Sequence, residues 1–128
     1  MKVDVKEFRL KLYPKDFQLV KNFYEKDLGF RILEEWDNGE LNKGVMFQAG
    51  QAVLELLSPK NGFKVVSGAD VSWEVINVRE LWESWKDRPN VIFALRDNSW
   101  GDTSFCISDP EGFKISFFTK HSKEIKDK

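Results

Sequence analysis

Phe8, Leu10 and Leu12 alternate with Arg9, Lys11 and Tyr13, the period of a strand buried on one face. Pro14-Lys15-Asp16 then opens a helix, whose apolar stripe runs Phe17, Val20, Phe23 with Tyr24, and Leu28. Phe30 to Trp36 reads as a strand, and Asp37-Asn38-Gly39 as the turn that ends it. Val45-Met46-Phe47 and Ala52 to Leu57 predict two more strands joined through Gly50. The polar stretch from Ser58 through Pro59, Lys60, Asn61 and Gly62 breaks the pattern. The order then restarts. Val71 to Ile76 alternates as a strand, and Arg79 to Trp85 has the spacing of a short helix. Val91 to Leu95, Ser104 to Ser108 and Phe113 to Thr119 are strands, and a charged tail from Lys120 is expected to fray.

The pattern is strand-helix-strand-strand-strand, written twice. It predicts a single domain of two modules, about residues 6–58 and 69–119, with a linker at about 59–68 and a tail at 120–128. A chain of 128 residues can bury a core without disulfides or a structural metal. Cys106 is the only cysteine, so no internal disulfide forms, which suits a reducing, cytoplasmic setting. Its strand position suggests a buried, inert thiol. The formal charge of −1 provides no basic footprint, so no nucleic-acid partner is expected. The apolar runs are too short to span a membrane, and Met1 to Lys6 contains no apolar signal core. His121 is the only histidine and lies beyond the last strand, which disfavours chemistry that needs His as base or ligand.

Two signatures point further. Phe23-Tyr24-Glu25-Lys26-Asp27-Leu28-Gly29-Phe30 is a helix end stopped by glycine and followed by a strand. Asp109-Pro110-Glu111-Gly112-Phe113 is a β-turn opening the last strand, with Pro where φ must be near −65° and Asp able to bond its own backbone. With Leu54-Glu55-Leu56 between them, the chain from Phe8 to Phe118 resembles the vicinal oxygen chelate superfamily. That family includes glyoxalases, extradiol dioxygenases, fosfomycin-modifying enzymes and bleomycin-resistance proteins. The resemblance implies an α+β fold of two βαβββ modules, whose curved mixed sheets enclose a cleft with the helices outside.

In metal-dependent members of that family four inward side chains hold the ion. Carried onto this sequence, those positions are Arg9, Glu55, Asp70 and Ser116. Only Glu55 matches the family's pattern. A catalytic zinc normally uses at least three protein donors, and a guanidinium cannot ligate. The resemblance therefore implies a site where Arg9 replaces the ion and pairs inward with Glu55, Asp70 or both, so that Arg9→Met should destabilise the fold more than a surface Lys→Met. No metal or other cofactor is expected, with a divalent ion on Glu55 and Asp70 as the alternative.

The aromatic residues suggest a ligand instead. Trp73, Trp82 and Trp85 have the parity or spacing of core residues. Trp36 ends a strand beside a turn, and Trp100 sits in the loop Asp97-Asn98-Ser99-Trp100-Gly101-Asp102. Tyr13 and Phe118 share parity with Arg9 and Ser116. The expected cleft is lined by Arg9, Lys11, Tyr13, Trp36, Glu55, Asp70, Glu74, Trp100, Ser116 and Phe118. Arg9 or Lys11 could orient an anionic ligand, or Glu55, Asp70 and Glu74 a cationic one. Three function classes stand open. The first is a metal-independent protein that binds a small organic molecule, resembling the bleomycin-resistance type, as a homodimer. The second is a glyoxalase-like, dioxygenase-like or thiol-transferase enzyme with an altered metal site. The third is a structural or regulatory module whose cleft is filled by its own side chains.

Overall fold

A computed structural model describes residues 2–58 and 66–122. The chain forms two compact units, Met1–Val65 and Val66–Lys128. The expected linker falls largely on residues 59–65, outside the described part of the chain.

The N-terminal unit contains β1 (Arg9–Leu12), α1 (Phe17–Asn22), a π-helical turn (Phe23–Asp27), β2 (Ile32–Asp37), β3 (Lys43–Ala49) and β4 (Ala52–Leu57). Its sheet has the order β1-β4-β3-β2, with β1 parallel to β4 and the other neighbours antiparallel. Register puts Leu10 beside Leu54, Leu12 beside Leu56, and Phe47 and Val45 across from those two leucines. These side chains share the face on which the helix packs, where Tyr24 meets Phe47. Val20, Tyr24, Val45, Phe47, Leu54 and Leu56 are all fully buried there. Each such side chain contributes about 1.5–3 kcal/mol through burial.

The helix starts where Asp16 accepts a hydrogen bond from Leu19 N at 3.1 Å, a side-chain cap. It is shorter than the apolar stripe suggests, because it widens into the π-helical turn at Phe23. That extra width brings the adjacent Phe23 and Tyr24 both into the core. Gly29, at φ +73°, then turns the chain so that Phe30 N reaches Tyr24 O at 3.0 Å.

The C-terminal unit repeats the plan: β5 (Val71–Glu74), α2 (Val78–Trp85), β6 (Val91–Asn98), β7 (Asp102–Ser108) and β8 (Lys114–Lys120), in the sheet order β5-β8-β7-β6. Trp82 packs on Phe105 at 5.1 Å, Phe105 on Phe117 at 5.4 Å, and Trp73 on Phe117 at 6.3 Å. Asn77 caps α2 through Glu80 N. The Asp109 turn forms as its residues require. Asp109 Oδ1 accepts from Glu111 N at 2.9 Å and Phe113 N at 3.0 Å, Gly112 N donates to Asp109 O, and Gly112 takes φ +91°. The expectation that order ends at Lys120 needs correcting. Lys120 pairs with Asp102 inside the sheet, and His121 N donates to Gly101 O at 2.9 Å. The rest of the expected tail, residues 123–128, lies outside the described part.

Candidate functional site

In the N-terminal unit the candidate site residues Arg9, Lys11, Trp36 and Glu55 lie on the face opposite the helix. The ladder places Arg9, Lys11, Val53, Glu55, Leu57, Met46, Gly44, Glu34 and Trp36 on that face. Glu55 is at its centre, on β4, with Lys11 of β1 on one side and Met46 of β3 on the other. The Glu55 residue is only 6% exposed, and its Oε1 is buried without a hydrogen-bond partner among the described residues. A buried acceptor left unmade is unfavourable, so it marks a strained position or one that an ordered water or a ligand completes.

Arg9 does not complete it. Its Nη1 stands 3.8 Å from Glu55 Oε1, an ion-pair distance beyond hydrogen-bond range, and its side chain is 43% exposed. Its Nε instead donates to Glu7. That hydrogen bond and the Glu7 charge, followed by Glu55 and Glu34, hold the guanidinium above its ordinary pKa. The expected Arg9–Glu55 pair is therefore present, but it has one solvated partner, and such pairs contribute little. Glu7 was not anticipated at all; it lies before the first strand, where alternation carries no information.

Trp36 reaches this face because of a β-bulge. Ile32 pairs with Phe47 on the helix side, while Glu34 pairs with Met46 and Trp36 with Gly44 on the opposite side. The irregularity between Ile32 and Glu34 absorbs Leu33 and changes which residues share a face. The Trp36 ring lies directly on the Gly44 backbone: a Cβ added there would come within 2.8 Å of Trp36 Cε2 and Cη2. A glycine at 44 thus lets the indole lie flat across β3. Met46 and Glu34, which alternation alone does not single out, join Trp36 through this register. Tyr13, exposed, follows the end of β1.

The other anticipated site residues belong to the C-terminal unit. Ser116 and Phe118 are half-buried on the face of its sheet opposite α2, with Cys106 and Ser104 as their partners on β7. Cys106 itself is buried. Glu74 lies beside Phe118 and within 4.0 Å of Lys120. Asp70 is exposed and borders an open cavity of about 430 Å³ with Gly112, Phe113 and Lys114. Trp100 forms the tip of the β6–β7 hairpin and is 72% exposed. Asn98, buried at the base of that hairpin, donates to Asp102 Oδ1 at 2.7 Å and Ser104 Oγ at 2.8 Å.

His121 has a structural setting. Its Nε2 lies 2.8 Å from Thr103 Oγ1, which donates to Asp97 Oδ1 at 2.5 Å, and Arg79 binds the same carboxylate oxygen at 2.6 Å. The Thr103 hydrogen bond, then Arg79 and His121, lower the Asp97 pKa. Among the described residues no three His, Cys, Asp or Glu side chains come together in a way that could hold a metal ion. Among the described residues the cation beside Glu55 Oε1 is the Arg9 guanidinium, which cannot ligate a metal. Among the described residues no helix is long and apolar enough to cross a membrane.

Comparison with known proteins bears out the fold. A family profile described as the Glyoxalase/Bleomycin resistance protein/Dioxygenase superfamily matches residues 8–117. No curated protein sequence matches the chain. Among solved structures, lactoylglutathione lyase from Agrobacterium tumefaciens superposes with a TM-score of 0.70 at 17% identity, over 92% of this chain and 96% of that one. A glyoxalase/bleomycin resistance protein/dioxygenase from Nocardioides reaches a TM-score of 0.73 at 15% identity, over 100% of this chain and 91% of that one. TioX from Micromonospora sp. ML1 gives a TM-score of 0.69 at 18% identity, over 91% and 98%. At such identities the structural likeness speaks to fold alone, but the profile match spans nearly the whole paired βαβββ pattern. The chain belongs to the Glyoxalase/Bleomycin resistance protein/Dioxygenase superfamily.

Proposed function

We propose that the protein binds a small organic molecule on the helix-free face of its N-terminal sheet, without a metal ion and as a homodimer. The observation that carries this reading is the buried, unpartnered Oε1 of Glu55 beside the flat indole of Trp36. A pocket that recognises an organic ligand needs a mostly apolar surface and a few polar groups with unused bonding capacity. Trp36, Met46, Leu57 and Val53 supply the first, and Glu55, with Lys11 at the rim, supplies the second. The donor chemistry supports metal independence: the group beside Glu55 is the Arg9 guanidinium, which cannot serve as a metal ligand. Exposed Phe8, Tyr13, Phe93 and Trp100 support association with a second copy.

The test has two parts. Elemental analysis of protein purified without chelator should find far less than one zinc, nickel, manganese or iron per chain. A thermal-shift screen of planar organic compounds should then return hits that quench tryptophan fluorescence and lose affinity at least several-fold in Trp36→Ala. Near-stoichiometric metal lost in Glu55→Ala would overturn the metal-free reading. Hits indifferent to Trp36→Ala would overturn the placement of the site.

A further inference from the structure

The chemistry of the bound molecule follows from the same face, and this step rests on the binding reading above. We propose that the ligand is an aromatic amine in its protonated form. Its ammonium donates to Glu55 Oε1, and its ring lies against Trp36 and Met46.

Three observations point to a cation. Among the described residues Oε1 is an acceptor with no hydrogen-bond donor, so the group that completes it must carry an N–H or O–H. A charged donor to a carboxylate makes a shorter and stronger bond than a neutral one. The neighbouring cation leaves this role open, because Arg9 is held by Glu7 and its Nη1 stands 3.8 Å from Oε1, beyond hydrogen-bond range. An anionic group drawn to Arg9 or Lys11 would meet Glu55 on the same face and Glu7 on the same guanidinium, and be repelled by both. With Glu34 on the same face, the carboxylates of Glu7, Glu34 and Glu55 outnumber the cations of Arg9 and Lys11, and this balance favours a cation where alternation along the strands leaves the sign undecided.

The donor geometry favours an ammonium over a guanidinium. Oε1 is the carboxylate oxygen that is buried without a partner. A compact ammonium delivers one donor to one oxygen, whereas a guanidinium fork engages two. The body of the ligand is set by spacing. The Trp36 ring sits over Gly44, which is one strand and two residues away from Glu55, with Met46 directly opposite the carboxylate. Strand separation and rise place ring and carboxylate roughly 8 Å apart along the sheet. A fused two-ring system bearing an aminomethyl group spans that distance, and Met46 offers its thioether to the ring edge between them.

Three probes with one ring system separate the possibilities: 2-naphthylmethylamine, 2-naphthylmethanol and 2-naphthoate, titrated calorimetrically at pH 7 into the full-length protein. The amine should bind at least tenfold tighter than the alcohol, and the acid weakest. Glu55→Gln keeps the shape and removes the charge. It should lower amine affinity by about tenfold to a hundredfold, to the level of the alcohol, while leaving the alcohol unchanged. Glu55→Met serves as a second variant and should abolish the same preference. Trp36→Ala should weaken all three probes. Tightest binding by the acid, equal binding of amine and alcohol, or an amine advantage that survives in both Glu55 variants overturns the inference. If all three bind equally yet lose affinity in Trp36→Ala, the binding site stands and only the ammonium assignment falls. If none binds at millimolar concentration, both fall.

Discussion

Glu55 is the residue on which most turns. In a sheet whose neighbours are Leu54 and Leu56, a buried carboxylate with an unmade hydrogen bond reduces stability. Removing one partner of a buried ion pair is normally damaging, because the other charge is stranded. Here the other charge is Arg9, half-solvated and bonded to Glu7, so nothing is stranded. Glu55→Met should therefore raise the unfolding free energy of the ligand-free protein by about 1–2 kcal/mol. Urea denaturation measures this, and a lower midpoint in Glu55→Met would mean that the carboxylate holds the sheet together rather than waiting for a ligand. The family resemblance, carried onto the sequence, brought Glu55 and Arg9 together. It could not reveal that Glu7, in a stretch without period, takes the guanidinium.

At the scale of elements, the decisive feature is the bulge in β2. Regular alternation from Phe30 to Trp36 would put Ile32, Glu34 and Trp36 on one face. The bulge at Leu33 sends Ile32 to the core beside Phe47 and leaves Glu34 and Trp36 on the opposite side. Gly44 then makes room for the indole. Gly44→Ala should force the ring off β3, at a cost of about 1–3 kcal/mol from overpacking. A shift in the tryptophan emission maximum together with a lower denaturation midpoint is the expected signature. Unchanged emission and midpoint would show that Trp36 does not depend on this glycine. The helix is a similar case. Its stripe was legible, but the π-helical turn that buries both Phe23 and Tyr24 comes from packing against the sheet, since no local propensity favours that geometry.

For the whole molecule, the open question that can be measured directly is association. Phe8, Tyr13, Phe93 and Trp100 are large apolar side chains that remain exposed, with Trp100 at a hairpin tip. Isolated exposed apolar residues are ordinary, but aromatic ones are the usual anchors of protein interfaces. Sedimentation velocity at micromolar concentration should show a dimer, and Trp100→Ala or Phe93→Ser should shift the distribution toward monomer. A monomer throughout that range removes the homodimer from the functional reading.

The doubled βαβββ plan is read with the help of the family resemblance; the sequence alone determined the element order and the Asp109 turn. These rest on local rules: apolar period, capping side chains, and the φ values that Pro110 and Gly112 permit. Alternation also put Arg9 and Lys11 on one face of their strand, and the family resemblance added Glu55 to them. Only the tertiary structure decided where alternation breaks. The bulge at Leu33, the resting of Trp36 on Gly44 and the capture of Arg9 by Glu7 each depend on which residue of another strand or segment stands opposite. Pairing register is set by the sum of all contacts across a sheet, so a single strand's sequence cannot reveal it. The unpartnered oxygen of Glu55 follows from that register, because among the described residues the neighbours that could donate are placed elsewhere.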